Sequence, residues 1–525
     1  MSRRAQYFNA RILQEMGIPP LESGLDGRGV AIAFIDYGFD ILHPCFRTAN
    51  GRTRFKCIVD QNTGRELDES VINQLIEECE QAGSRSVADT QYDPHANYFG
   101  RSGVEAGAHG TSIASIAAGS PVAGFRGVAP AADLIGIQLA LPDHHWKEED
   151  ELGRPTWRYW QPASEPVWPG WRSYDEASAI VDALDHVYDI ACRHRAKALV
   201  VNLSIGAYAG AHDGRSTVER KITELARRGA NGSGLPCTVV VSAGNAGLEE
   251  GHYCGYAEPS RAFSFAWRMN REDATQNKLE IWYRSAEPLE ITVAPAGSPQ
   301  QLRITPGATH PIIWCGTRVG IADHVPQVRP PLSRARLMLH PPYVPDHLWD
   351  RETGELLLNI RCTAVEDTAF VHAWLERDDG LENRSTLYPS DASCSLSCLA
   401  TAEGAVVVGA YVLDGPSIHP FPPSSLGPHP WTGEHTAPLL CAPGHRIWGV
   451  RSKSLGFSEI RGTSAATALT SGVIALLYQR LSGGGASPMV SPTELLIEHC
   501  SQGKWSPRFG FGAVDIRQLI GEVAA

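Results

Sequence analysis

No stretch of this 525-residue chain is long and apolar enough to span a bilayer, and no cluster of lysine and arginine offsets its acidity. With 46 Lys and Arg against 58 Asp and Glu, the formal charge is -12. That balance opposes binding to nucleic acid or to an anionic membrane and leaves charge mainly as a source of solubility. The amino terminus, MSRRAQYFNARILQEMGIPP, has a basic start but lacks the continuous apolar core and small-residue cleavage site of a secretory signal. The 12 cysteines lack paired metal-ligand spacing, with Cys394 and Cys398 standing alone as a close pair. They are expected to be free, mostly buried thiols in a reducing cytosol, so the expected location is cytoplasmic and no metal or cofactor is expected. What is present is a globular composition, 43% hydrophobic and 20% charged, in a chain long enough for two or three domains.

The stretch GVAIAFIDYGFD contains an apolar, β-compatible run over residues 30–35 that ends on Asp36 and a glycine turn. It reads as a buried parallel strand delivering an aspartate at its carboxyl end, where the crevices of open α/β sheets lie. An aspartate before Gly38 is equally expected from turn formation alone. The stretch HGTSIASIAAG, beginning at His109, puts a histidine at the mouth of a run of small residues that reads as a buried helix. By itself His109 is either a catalytic base or an ordinary residue at a helix start.

Beyond it, GVAPAADLIGIQLA turns into a strand and DEASAIVDALDHVYDIACRHR has helical spacing. ALVVNLSIG reads as a buried strand, STVERKITELARRG as an amphipathic helix and CTVVVSAGN as a strand ending on Asn245. This alternation predicts an α/β fold built on a doubly wound parallel sheet, with Asp36, Ser204 and Asn245 at strand ends. Far downstream, RGTSAATALTSGVIALLYQRL places Ser464 at the start of a strong helical pattern. There it is either an N-cap or a hydroxyl set where a helix terminus favours developing negative charge.

Together these segments resemble the subtilisin-like serine proteases, or subtilases. Asp36, His109 and Ser464 follow the chain order Asp, His, Ser of that family. The matching segments, in family order, are AFIDYGFDILHP, HGTSIASIAAG with the following GVAP, VVNLSIG, VVVSAGNAG and GTSAATALTSG. The resemblance implies a serine endopeptidase acting on protein or peptide substrates. In it Ser464 attacks, His109 takes its proton, and Asp36 holds the imidazole in the useful tautomer. It assigns the Asn245 amide and the Ser464 N–H to the oxyanion, and Ser204, Ile205, Gly206, Ala243 and Gly244 to the backbone walls of the substrate cleft.

There are departures from the family pattern. Ala468 replaces the usual proline after the nucleophile, and Ser112 replaces the histidine that often follows His-Gly-Thr. Cys45, after His43 and Pro44, replaces an aspartate found in many calcium-binding relatives, so no required metal is expected. Asp36 stands too near the start of the sequence to leave room for a folding prodomain, which implies an enzyme made in mature form. The rival reading is a pseudoprotease acting as a regulatory binding protein; the intact Asp36, His109, Ser464 and Asn245 oppose it.

Two insertions are expected. HPCFRTANGRTRFKCIVDQNTG followed by ESVINQLIEECEQAG reads as an inserted strand pair and helix. Over residues 255–379, FSFAWRM, KLEIWYR, LEITVAPA, QLRITPG, RARLMLH, ELLLNIRCT and AFVHAWLE are short, mostly alternating runs between turns, the pattern of an all-β sandwich. The catalytic sheet is expected to resume at LATAEGAVVVGAYV and continue through SSLGP and CAPG. This layout resembles the subtilase branch typified by bacterial spore-germination proteases, which carry a jelly-roll inside the catalytic domain. It implies a catalytic domain in two parts, 1–254 and 386–525, around an insert at 255–385. Insertions of this size favour restricted protein substrates, as in maturation or regulatory proteolysis.

The segment at 141–173, LPDHHWKEEDELGRPTWRYWQPASEPVWPGWRS, carries five tryptophans with no regular period. The indoles either pack the loop onto the body or form a lid or a surface for a regulatory protein. His144 and His145 form an adjacent pair without a second ligand motif. Replacing 141–173 with a Gly-Ser linker separates the readings. Loss of a lid raises cleavage of unfolded proteins more than cleavage of a tripeptide reporter. Loss of packing lowers both activities and the melting temperature, at about 1.5–3 kcal/mol per large side chain uncovered.

Overall fold

The computed structural model describes residues 3–94, 108–139, 145–149, 155–159, 177–228, 234–273, 277–376, 385–415, 417–433, 437–482, 491–499 and 504–521. Its central sheet contains β1 Val30–Asp36, β2 Phe55–Asp60, β3 Arg65–Asp68, β4 Asp133–Gln138, β5 Ala198–Leu203, β6 Cys237–Ser242, β7 Val406–Asp414, β8 Ser417–Pro420 and β9 Leu440–Pro443. The spatial order is β8-β7-β6-β5-β1-β4-β2-β3, with β9 also pairing β7. Strands β2, β4, β1, β5, β6 and β7 run parallel, as does β9 on β7, while β3 and β8 are antiparallel edges.

Burial on both faces explains the continuous apolar runs. Ile32, Phe34, Val200 and Val240 enter the core on one face, and Ala33, Ile35, Val201 and Val241 the core on the other, as the period of two requires. The chain places β4 and β2 on one side of β1 and β5 and β6 on the other. Winding therefore reverses beside β1, and a crevice opens there outside the carboxyl ends of the strands.

Among the helices of the described residues that pack on the sheet are α1 His109–Ala118, α2 Ser178–Arg193, α3 Thr217–Arg227 and α4 Thr463–Ser482. Helices α1 and α4 share one core through Ile113, Ile116, Leu469 and Val473, whereas α2 and α3 share the other through Ile180, Leu184, Ile222 and Leu225. A capping box starts α3, with Ser216 and Glu219 each accepting the other's main-chain N–H. Every residue of α4 from Thr463 to Tyr478 is buried, the mark of a helix enclosed by a core. It packs against α1. The buried Arg54 guanidinium bonds the last carbonyl of α1, at Ala118, together with Cys45 O at 3.2 Å and Ala132 O at 2.8 Å. A cation there meets the negative end of the helix.

The β insert is two antiparallel sheets. One contains, in order, Leu302–Ile304, Glu290–Pro295, Glu355–Thr363, Phe263–Asn270 and Thr386–Tyr388. The other contains Thr309–Trp314, Thr317–Arg329, Leu332–Leu339, Asn277–Arg284, Ala369–Leu375 and His252–Ala257. Their inward residues, including Trp267, Ile281, Val293, Leu337 and Ile360, form a third core. The seven runs read from the sequence fall in seven of these strands. Four others, His252–Ala257, Thr309–Trp314, Thr317–Arg329 and Thr386–Tyr388, were not anticipated; in Thr317–Arg329 a register shift breaks the alternation that would have marked it.

The strand pair and helix read between Asp36 and His109 are present as β2 with β3 and the helix Glu69–Ala82, and β2 further joins the central sheet, parallel to β4, because Ile58 feeds one core while Cys57 and Val59 feed the other. One expectation is corrected. SSLGP forms no strand; Ser425 instead bonds the loop after β6, its N–H donating to Gly244 O at 2.9 Å and its Oγ accepting from Ala246 N at 2.9 Å. CAPG lies in β9. Within 141–173 the backbone forms a hairpin of His145–Glu149 with Pro155–Tyr159, and the remainder of that reading lies outside the described residues. Among the described residues no helix is long and apolar enough to cross a membrane, and no disulfide joins the cysteines.

A glycine sets how closely α4 approaches α1. A Cβ at Gly472 would lie 2.5 Å from Val128 Cβ and 2.7 Å from Ala117 O, so Gly472→Ala forces the helices apart. The expected cost is about 1–3 kcal/mol of stability, measured by denaturant melting. Turnover should fall with it, because Ser464 starts one helix and His109 the other; an unchanged midpoint would contradict the close approach.

Candidate active site

β1 delivers Asp36 into full burial, where its carboxylate accepts the Tyr37 N–H at 2.7 Å. The remaining oxygen capacity faces His109, whose Nδ1 lies 2.7 Å from Oδ1 and 2.9 Å from Oδ2. Asp36 is 0% exposed and the His109 side chain 31%, so the pair bridges the interior and the crevice. A carboxylate on Nδ1 keeps the proton there and leaves Nε2 as the accepting nitrogen.

The two residues after His109 explain how α1 reaches that position. Gly110 N donates to Tyr37 O at 2.7 Å and Thr111 N to Gly38 O at 2.8 Å, which clamps the helix start onto the loop after β1. The Thr111 hydroxyl tightens the clamp, accepting from Asp40 N at 2.8 Å and donating to Gly38 O at 3.1 Å. A Cβ at Gly110 would meet the Phe39 ring at 2.7 Å, so the approach requires glycine. Ser112 and Ala468, the family departures, are buried within the supporting structure, with Ser112 Oγ donating to Val450 O at 3.0 Å.

Ser464 is the second residue of α4 and is 9% exposed. Its hydroxyl donates to the Ser204 carbonyl at 3.2 Å, and Ser204 Oγ lies 2.9 Å from Asn202 Oδ1. Asn245 follows β6, and its Oδ1 accepts the Thr463 N–H at 2.9 Å. An N–H partner fixes which way the amide points, so Nδ2 is the end left to donate. Tyr208 holds the Asn245 main chain, its hydroxyl accepting Asn245 N at 2.7 Å. Gly462 has φ of 120°, and a Cβ there would lie 2.9 Å from Asn245 Oδ1 and 3.0 Å from Nδ2.

Asp36, His109, Ser464 and Asn245 thus come from β1, the start of α1, the start of α4 and the end of β6, all at one end of the sheet. The residues expected to wall the cleft divide into two groups. Ala243 donates to Val408 O and accepts from Ser397 N, while Gly244 accepts from Ser425 N and donates to Thr463 Oγ1, so their main-chain groups are engaged within the chain. Ile205 and Gly206, beside Ser204, take no part in the loop hydrogen bonds of the described residues. One side of Gly206 is closed, since a Cβ would lie 2.7 Å from Ser397 Oγ. Sequence reasoning missed Thr463, Gly462 and Tyr208; the Gly-Thr pair before Ser464 was a visible signal for the first two, and Tyr208 had none.

An open parallel sheet that brings an aspartate, a histidine, a serine and an asparagine to its carboxyl edge is an α/β scaffold with its crevice where hydrolases of this class place theirs. The model described as the subtilase family matches residues 27–264 and 380–512, so the chain belongs to the subtilase family and is a subtilisin-like serine endopeptidase. The CspB protease of Clostridium perfringens is similar in fold, with a TM-score of 0.72 at 19% identity over 98% of each chain. A mutant of the protease domain of PatA gives 0.43 at 15% identity over 96% of this chain and 99% of that one. Sphericase gives 0.40 at 15% identity over 94% and 92%. No curated protein sequence matches the chain.

The geometry makes Gly462→Ala a sharp test of the Asn245 setting. The variant should fold, yet turnover should fall by up to about 10²–10³, the range for losing one oxyanion donor, with little change in KM. Full turnover in this variant would show that the Asn245 amide does not need its observed position.

Proposed function

We propose that this endopeptidase uses Ser464 as nucleophile, His109 as general base, Asp36 as the group that orients and stabilises the imidazolium, and Asn245 as an oxyanion donor. The observation that carries the reading is the Asp36–His109 contact, a buried carboxylate on Nδ1 at 2.7 Å. It prepares Nε2 to accept a proton near neutral pH. Ser464 Oγ leaves the Ser204 carbonyl by rotation about its Cα–Cβ bond, gives its proton to His109 and bonds to the scissile carbonyl carbon. The carbonyl electrons move onto oxygen, where Asn245 Nδ2 and the Ser464 N–H at the start of α4 meet the charge. Collapse expels the amine with the proton from His109, and water repeats the sequence to release the acid.

The substrate main chain lies along Ser204, Ile205 and Gly206 in this reading, with Ala243 and Gly244 acting as a wall. The uncommitted main-chain groups of Ile205 and Gly206 support that division. We assign the chain to the branch with a jelly-roll insert and divide it near 1–254, 255–385 and 386–525; the two-sheet insert supports the branch, while its strands extend slightly past both boundaries, from His252 to Tyr388. It further reads as a cytoplasmic enzyme with restricted protein substrates, in maturation or regulatory proteolysis, and with the tryptophan-rich 141–173 as a surface for a regulatory protein. The insert supports restriction because Glu376, at its edge, accepts Tyr208 N at 2.9 Å and Ala209 N at 3.3 Å, so the sandwich is tied to the residue that holds Asn245.

Ser464→Ala or His109→Ala should leave the fold intact and cut peptide hydrolysis by about 10⁴–10⁶, with the double variant no worse than either single one. Additive losses would mean that the two residues do not act as a unit, and normal turnover of Ser464→Ala would remove it as the nucleophile.

A further inference from the structure

On strand His252–Ala257, His252 and Cys254 are two residues apart and share a face, and His372 on the neighbouring strand pairs directly with Cys254. One ligand atom from each of the three lies within 4.8 Å of the other two. His252 Nε2 and His372 Nδ1 are 2.9 Å apart. Asp391, from the chain returning out of the insert, brings Oδ2 to 3.9 Å from Cys254 Sγ. Two imidazoles, a thiol and a carboxylate are a donor set for a zinc-class ion.

The hydrogen bonds around the rings support this. His252 Nδ1 lies 3.2 Å from the Asp391 main-chain carbonyl and donates its proton there, which leaves the Nε2 lone pair facing His372. His372 Nδ1 must then donate to it, so one proton is shared between the two inner nitrogens. A cation between them takes the place of that proton. The His372 proton then sits on Nε2, and both inner lone pairs face the ion. The rings are held by stacking, with His372 on Trp374 at 4.6 Å and His212 on the same indole at 4.1 Å.

We propose that His252, Cys254, His372 and Asp391 form a binding site for one divalent transition-metal ion of the zinc class, which fastens the inserted sandwich to the returning chain. With Zn–N of about 2.0 Å and Zn–S of about 2.3 Å, tetrahedral ligand atoms sit about 3.3–3.5 Å apart. The inner nitrogens, 2.9 Å apart, therefore part slightly, while the Cys254 sulfur, within 4.8 Å of them, moves in by up to about 1 Å. Thiolate ligation requires the ion to displace the Cys254 proton on binding. A cavity of about 320 Å³ gives access: His252, Trp374, Asp391 and Ser395 line it together with Ala246 and Gly247, the residues after Asn245. The four ligands come from three distant stretches of sequence, without motif spacing. The site does not depend on the role proposed for Ser464.

The test is a cobalt titration of full-length Ser464→Ala protein, stripped with chelator, followed by competition with zinc. One equivalent of Co²⁺ should bind, with tetrahedral visible bands and a thiolate-to-cobalt charge-transfer band, and Zn²⁺ should displace it. Cys254→Ser should abolish the charge-transfer band and weaken zinc at least about 100-fold. Cys315→Ser should change neither, although Cys315 Sγ lies 3.1 Å from His347 Nε2 on the outside of the sandwich. Failure of the parent protein to bind one equivalent would overturn the proposal. So would persistence of the band in Cys254→Ser or its loss in Cys315→Ser.

Discussion

A carboxylate at the end of a fully buried strand must be met by a proton donor, and the contact between Asp36 and His109 meets that demand. Much of the surrounding structure follows from it. His109 can come within 2.7 Å only if the first turn of α1 lies on the loop after β1. That in turn requires a glycine at 110, where any side chain would strike Phe39, and a hydroxyl at 111 to clamp the loop. The far end of the same helix is fastened by the buried Arg54. Once α1 is fixed, α4 must pass it closely, and Gly472 permits the approach that brings Ser464 to the same edge of the sheet.

The insert is joined to this machinery through a small set of contacts. Trp282, Trp374 and Leu332 of the sandwich pack with Ala211 and against Trp431, whose Nε1 donates to Ala211 O at 2.6 Å. Arg329 reaches Asp213 at 3.2 Å across the same junction. Glu376 then binds the main chain beside Tyr208, whose hydroxyl holds Asn245. A shift of the sandwich is thereby coupled mechanically to the loop that carries the proposed oxyanion donor.

What the sequence made legible was local. The runs ending on Asp36 and Asn245 announced buried strands because both faces of the sheet are covered, and His-Gly-Thr and Gly-Thr-Ser announced helix starts through their small residues. Legibility failed where a residue's role comes from a distant partner. Tyr208 matters through Asn245, 37 residues away, and nothing in its own neighbourhood marks it. The β2–β3 pair was legible, but not that β2 also joins the central sheet, because its parallel partner β4 follows about 78 residues later, too far for any pattern to pair them. SSLGP looked strand-like, but its hydroxyls and amides serve the 244–246 loop. His252 and His372 are 120 residues apart and meet only because their strands pair.

The central claim is that the Asp36–His109 pair activates Ser464. A fluorophosphonate probe tests it most directly, since phosphonylation requires an activated serine hydroxyl and needs no knowledge of the physiological substrate. Peptide mass spectrometry of the labelled full-length protein should place the adduct on Ser464 alone, with labelling slowed severely in His109→Ala. Absence of labelling in the folded protein, or an adduct on another serine, would contradict the account.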